Sequence, residues 1–289
     1  MALISIIFCL LAERFISSLH TVRSFSWLEK YTQVVFKSAT SKKYFDGSAG
    51  VIIFTLPLPI IVGLVDLQLQ HLFPLFKFIF STAILFYSFG PETFYDRTKE
   101  FRNAMDDGNS ASACWYAERI LRRRVDDSEK QQLSNLITKS LFIISNDRIF
   151  APIFWFLVLG PMGAMLYRCC SRLVFIANNE IKQQGLSHAA LVFIAVLDWI
   201  PARLSAFSYA LMGNFMGAIY QCRQSKTSFV AVTQAANNDV LCCLARGAIS
   251  LPIDSSNSTH QISQAMALIR RSIECWLAAI AVLTLSGTL

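Results

Sequence analysis

Residues 188–215 read HAALVFIAVLDWIPARLSAFSYALMGNF, an apolar run with an acid, a proline and a base, Asp198, Pro201 and Arg203, set inside it. A run of this length and composition predicts a helix in a bilayer or a packed bundle. In such surroundings an ionisable side chain is costly unless it finds a partner or a wet cavity, so two of them this close point to a task. Pro201 lacks a backbone donor and clashes with the carbonyl of Leu197, so the helix is expected to kink or break there and to leave polar backbone for protein or water to satisfy. Asp198-Trp199-Ile200-Pro201-Ala202-Arg203 is therefore the expected working region.

The rest of the chain has the same character. Of 289 residues 54% are hydrophobic and 16% charged, with mean hydropathy +0.46, outside the usual balance of soluble domains. The reading is an all-α integral membrane protein with about four to six transmembrane helices and a helical cytoplasmic insertion. Clean apolar runs lie at 49–65, 73–89, 149–167 and 273–289. Two less clean ones are 1–19, interrupted by Glu13-Arg14, and 188–215. The first has neither a basic start nor a small-residue cleavage site and is expected to be a retained helix.

The net charge of +7 is read as an insertion signal and not as a nucleic-acid footprint, because the basic residues cluster as the positive-inside rule requires. With the first residue outside, the inner regions hold 20 of the 26 Lys and Arg: five at 22–47, ten at 91–148 and five at 213–272. The misfit is the turn at 168–187, with Arg168, Arg172 and Lys182, which is either a true exception or part of an interfacial, re-entrant pair. Residues 20–47 have the spacing of an amphipathic surface helix. Pro57 and Pro59 predict a kink in the second span. Residues 91–148 form the cytoplasmic insertion, with a turn at Asp107-Gly108-Asn109 and a run Arg122-Arg123-Arg124 that suits a helix C-terminus better than a phosphate site. Residues 213–272 are expected to be a second cytoplasmic segment, the whole chain forming a single membrane domain.

No glycine-rich phosphate loop, GxSxG or CxxC occurs. The four histidines are scattered and the eight cysteines include the adjacent pairs Cys169-Cys170 and Cys242-Cys243, so buried inert thiols and no metal site are expected. What remains are charges in or beside the membrane. Glu13, Arg14, Asp147, Asp198, Trp199, Pro201 and Arg203 are grouped as a polar pocket, in which Glu13 or Asp198 pairs with Arg203 or Arg14. The pairing of charges for helix packing alone is the competing reading.

Three blocks carry a family resemblance: Glu13-Arg14-Phe15; Phe150-Ala151-Pro152-Ile153-Phe154-Trp155 with Gly160-Pro161 and Tyr167-Arg168; and Asp198 to Leu204 with Tyr209-Ala210-Leu211. In order and spacing the chain resembles AmpE, the bacterial inner-membrane proteins associated with control of β-lactamase induction. AmpE is in turn similar to CbiB/CobD, the membrane-bound cobalamin-pathway synthase that joins aminopropanol or its phosphate to cobyric acid through an amide. Asn146-Asp147, the Asp198 to Arg203 block and His20-Thr21-Val22-Arg23 resemble that enzyme's blocks. The departures are Ile143 and Ile144 where the synthase pattern has Glu-Asn, Arg148 where it has glycine, and a missing Gly-Asp-Pro block.

The AmpE resemblance implies a non-catalytic modulator of the cell-wall stress and antibiotic response, without cofactor, in the bacterial inner membrane. Its partners would be the bilayer, other membrane proteins and a small anionic or cell-wall-derived ligand, with no nucleic acid. The alternative is an amide-forming synthase of the CbiB/CobD kind, which would need a nucleotide with magnesium. A transporter subunit is the weakest reading, since no inverted repeat is visible.

Overall fold

The positions of proline and glycine among the apolar runs decide where each helix starts, bends and stops. The computed structural model describes residues 2–15, 47–72, 74–89, 94–121, 123–126, 129, 132–177, 184–225, 227–249 and 258–287. Its helices are α1 (Ala2–Phe15), α2 (Ser48–Thr55), α3 (Pro57–Leu72), α4 (Pro74–Phe89), α5 (Phe94–Asp106), α6 (Ser110–Leu121) and α7 (Leu133–Ser145). A π-helical turn (Asn146–Phe150), α8 (Ala151–Ile176), α9 (Gln184–Met212), α10 (Phe215–Gln224), α11 (Gln234–Ile249) and α12 (Ser258–Leu285) follow. No strand occurs among the described residues, and the protein is an all-α membrane protein. The expected surface helix at 20–47 lies outside the described residues, apart from Gly47.

Three stretches are long and apolar enough to cross a membrane: Ser48–Leu69, Leu133–Ile176 and Gln184–Met212. Leu3–Ala12 and Pro74–Phe89 are shorter apolar helices. The proline pair in the second run acts as anticipated, for α2 gives way to α3 at Leu56, just before Pro57. The final run is not a separate element. It is the end of α12, a 28-residue helix that starts at Ser258, inside the region read as a cytoplasmic segment.

The insertion at 94–145 is helical. Asn109 accepts from the Ser112 backbone N–H (3.0 Å) and so caps α6, while Gly108 takes φ 68°, where a side chain would be strained. Arg123 is bound by Glu129 through two bonds of 2.7 and 2.8 Å. That hydrogen-bonded pairing raises the Arg123 pKa and lowers that of Glu129.

The long stretch through α8 bends at Gly160, whose φ of 66° fits a glycine and precedes Pro161. One turn later Gly163 faces Trp155: a Cβ there would stand 2.2 Å from the Trp155 carbonyl oxygen. The chain therefore needs glycine at 163 for α8 to fold back on itself. Past this bend α8 continues to Ile176, so Arg168 is not in a turn. It is buried within the bundle, and Arg172 lies in α8 too, so two of the three basic residues counted in that turn belong to a helix.

α9 is one continuous helix through Pro201, so of the expected kink or break, the break does not occur. The Leu197 carbonyl, which loses its helical partner to Pro201, accepts instead from the Trp155 indole N–H of α8 (3.2 Å). A neighbouring helix thus supplies the missing donor, the usual condition for proline in a spanning helix. Two cysteines come together across the bundle: Cys222 of α10 and Cys243 of α11 face each other with their Cα atoms 5.4 Å apart.

Candidate functional site

The π-turn Asn146–Phe150 sits at the junction of α7 and α8. Wide single turns of this type recur at functional sites because they redirect consecutive side chains. Asn146 and Asp147 are its first two residues, and they engage different partners. The Asn146 amide donates to Asp198 Oδ1 (3.3 Å), and its carbonyl accepts from the Ser205 hydroxyl (3.1 Å). Asp147 turns toward α8, where Ser171 Oγ donates to its Oδ1 (2.5 Å).

Asp198 lies on the inward face of α9 and is 3% exposed. Its carboxylate takes three donors from three elements: Asn146, the Tyr167 hydroxyl on Oδ1 (2.8 Å) and the Gln234 side-chain amide on Oδ2 (2.9 Å). Tyr167, itself fully buried, also stands 3.3 Å from Asp147 Oδ1. It has one proton to give, so it links the two carboxylates while favouring Asp198. Arg168 closes the other side of Asp147, with Nη1 3.6 Å from Oδ2 and Nη2 donating to the Asp147 carbonyl (3.3 Å). Its Nε donates to the Ser88 carbonyl on α4 (2.5 Å).

Two acids with different environments result. Asp198 is sealed in, whereas the Asp147 side chain is 37% exposed. Both line a cavity of about 320 Å³, together with Asn146, Ser171, Gln234 and Asn238. Its apolar wall includes Ile143 and Ile144, the two positions where the synthase pattern has Glu-Asn. Among the described residues no group of three or more His, Cys, Asp or Glu is arranged to hold a metal.

The other residues of the expected pocket are placed differently. Arg203 does not pair with Asp198. Its guanidinium donates to the carbonyls of Phe229 (2.7 Å), Trp199 (2.7 Å) and Ala231 (3.2 Å) and to Asn237 Oδ1 (2.8 Å), and it stacks on the Trp199 ring at 4.3 Å. Trp199 and Pro201 thus belong with the Arg203 clamp and the Trp155 contact. Glu13 and Arg14 lie in α1, but their side chains fall outside what the structure describes, so the proposed pairing across helices is not seen. Tyr167, Ser171, Ser205 and Gln234 were missed by the sequence reading. Of these only Tyr167 carries a signal in the sequence, beside Arg168 in one of the family-like blocks; Gln234 has none, since a glutamine after a loop is unremarkable in a chain.

Comparison with known proteins gives the chain a family. The family described as CobD/Cbib protein matches residues 4–269. The cobalamin biosynthesis protein CobD of Chromobacterium violaceum is 30% identical over 143 residues, 49% of this chain and 46% of that protein. That of Stutzerimonas stutzeri is 28% identical over 120 residues, 41% of this chain and 38% of its own. The probable CobD of Archaeoglobus fulgidus is 27% identical over 151 residues, 48% and 49% respectively. The chain therefore spans about half the length, or less, of the curated relatives it matches. No solved structure matches it. These relatives overturn the expectation of an AmpE-like regulator of β-lactamase induction, because all three carry the cobalamin biosynthesis name. From residue 4 to residue 269, the chain is a member of the CobD/CbiB protein family.

Proposed function

We propose that this protein is a membrane enzyme of cobalamin biosynthesis, an amide-forming synthase working in the cavity between the π-turn and α9. Family membership supports the pathway. The observation that carries the site is the convergence of two separate sequence blocks, Asn146-Asp147 and Asp198, on two carboxylates linked through Tyr167 beside one cavity.

Joining a carboxylate to an amine requires an activated carboxyl group. With a nucleoside triphosphate as co-substrate, the carboxylate oxygen attacks the terminal phosphorus and the nucleoside diphosphate leaves. The amine nitrogen then attacks the acyl carbon, the carbon–oxygen bond breaks, and phosphate departs with the electron pair. The amine must give up a proton as the amide forms. Asp147, the acid open to the cavity, is the residue assigned to accept it. Asp198 holds the Asn146, Tyr167 and Gln234 side chains around itself, and Tyr167 reaches from it to Asp147.

Magnesium would accompany the nucleotide, and such ions are held by one or two carboxylates plus the substrate's own phosphates. Asp147 is already assigned to the proton and Asp198 is occupied by three donors, so the ion would rest chiefly on the nucleotide's phosphates, whose charge it would neutralise. Ile143 and Ile144 add no carboxylate to the cavity wall, so the proton transfer rests on Asp147. The proposed setting is the bacterial inner membrane, with the bilayer as the protein's solvent.

The test is turnover of nucleotide by purified protein in the presence of a corrinoid carboxylic acid and an amino alcohol or its phosphate. Asp147→Asn should cut the rate by about 10²-fold or more, the usual scale for losing a general base. Unchanged turnover in that variant would remove Asp147 from the chemistry.

A further inference from the structure

The outward face of α9 carries Val192, Val196, Ile200, Leu204, Phe207 and Leu211, all exposed and all at steps of three or four residues. This is the stripe a spanning helix shows to lipid. The spanning helix ends at Met212, but the stripe does not. Phe215, the first residue of α10, meets Phe207 edge-on with ring centroids 6.5 Å apart. Beyond it Met216 is 74% and Tyr220 64% exposed, and in the following loop Val230 is 80% exposed. These are large apolar or amphipathic side chains in a region that the charge pattern would place in water.

The backbone is built to hold them outward. The opposite face of α10 buries Ala218 and Cys222. The Asn214 side chain accepts from the Gly217 N–H (2.9 Å), and the Asn214 N–H donates to the Ala248 carbonyl (2.8 Å). Gly217 and Gly247 let α10 and α11 touch backbone to backbone, since a Cβ on either would fall within 2.6 Å of the other's carbonyl oxygen. The loop is held as firmly, because Arg203 grips the carbonyls of Phe229 and Ala231 on either side of Val230.

We propose that α10 and the loop around Val230 form a platform lying in the membrane interface, continuous with the lipid-facing stripe of α9, with the bilayer as its occupant. An amphipathic helix with one apolar face and a polar rim settles at the boundary between headgroups and acyl chains. Tyr220 suits that depth, with an apolar ring and a hydroxyl that accepts from the Gln224 amide (2.7 Å), and exposed Arg223 follows it at the headgroup side. Gln234 begins α11 directly after the loop and donates to Asp198. The platform thereby fixes, relative to the bilayer, one of the three donors of that buried acid. This inference concerns placement in the membrane and stands whether or not the amide chemistry does.

The experiment places a photoreactive benzoylphenylalanine at Met216, Val230, Leu204 or Asp239, one position per variant, in the full chain. Each variant is reconstituted into vesicles of phosphatidylcholine and phosphatidylglycerol. All four positions are exposed. Leu204 on the α9 stripe confirms insertion, and polar Asp239 on α11 reports an aqueous surface. On irradiation, lipid adducts at 216 and 230 should match the yield at 204 and exceed that at 239. Cross-linked dimers at 216 and 230 would give the surface to a second copy and overturn the proposal. Adducts at 204 alone would show the platform standing in water, and would overturn it as well.

Discussion

Replacing Trp155 by Phe tests how α9 survives its proline. In the native bundle the Leu197 carbonyl accepts from the Trp155 indole (3.2 Å), because residue 201 has no N–H to offer. Trp155→Phe keeps an aromatic ring and removes the donor, leaving the carbonyl unpartnered in a part-buried site. Leaving such a group unsatisfied costs about 1–3 kcal/mol in water-soluble proteins, while hydrogen bonds between spanning helices average about 0.6 kcal/mol and reach about 1.7. Pro201→Ala in the same background restores a backbone N–H that donates to Leu197 along the helix. The two substitutions should then couple. The double variant should be more stable than the sum of the singles requires, by about 0.5–2 kcal/mol on those scales. The ring's own packing loss appears in both arms and cancels. Unfolding in lipid micelles or bicelles, followed by denaturant titration of all four proteins, reads this directly. Strict additivity would mean that the indole does nothing for the proline, and the explanation of the unbroken helix would be wrong.

Other expectations follow from neighbouring contacts. Arg203→Ala should lower accumulation and raise protease cleavage at 228–232, and adding Asp198→Asn should not rescue it, because Arg203 is held by carbonyls and Asn237 and not by that acid; rescue would restore the paired-charge reading. Gly163→Ala should sharply reduce folded protein, since its Cβ would meet fixed backbone. Gly63→Ala should be tolerated far better, its nearest neighbour being the flexible end of Met162 at 3.0 Å; equal yields of the two would contradict the packing argument. Burial pushes the Cys242 thiol up to about 11, so it stays protonated and unreactive at neutral pH and should gain alkylation rate only as pH climbs toward that value. Rapid maleimide labelling of Cys242 at pH 7, read by peptide mass spectrometry, would refute that burial.

Composition and periodicity made the all-helical membrane class legible, and the Pro57 bend and the Asp107-Gly108-Asn109 turn could be read from local chemistry alone. The turn expected from 168 onward starts only after Ile176, because a window of hydropathy cannot tell an arginine in a turn from one buried against an acid and a carbonyl of other elements. At Pro201 the choice between a kink and a break stayed open for a similar reason: the proline's effect depends on whether a donor arrives from elsewhere, and Trp155 lies on another helix. At the site, Asp147 and Asp198 were conspicuous as charges in apolar sequence. Their partners were not. Asn146, Tyr167 and Gln234 meet Asp198 only through the packing of three elements, and Arg203, so close to Asp198 in sequence, points away from it along the helix. Ile143 and Ile144 favoured a non-catalytic reading in the sequence; in the fold they are one wall of a cavity whose acids come from elsewhere.

The most direct test of the central claim is mass spectrometry of the product formed when purified protein is incubated with nucleotide, magnesium, a corrinoid carboxylic acid and an amino alcohol or its phosphate. The account predicts a new amide whose mass is the sum of acid and amine less one water, formed by the wild type and lost in Asp147→Asn. Absence of product from a folded, substrate-binding wild type, or undiminished product in Asp147→Asn, would contradict it.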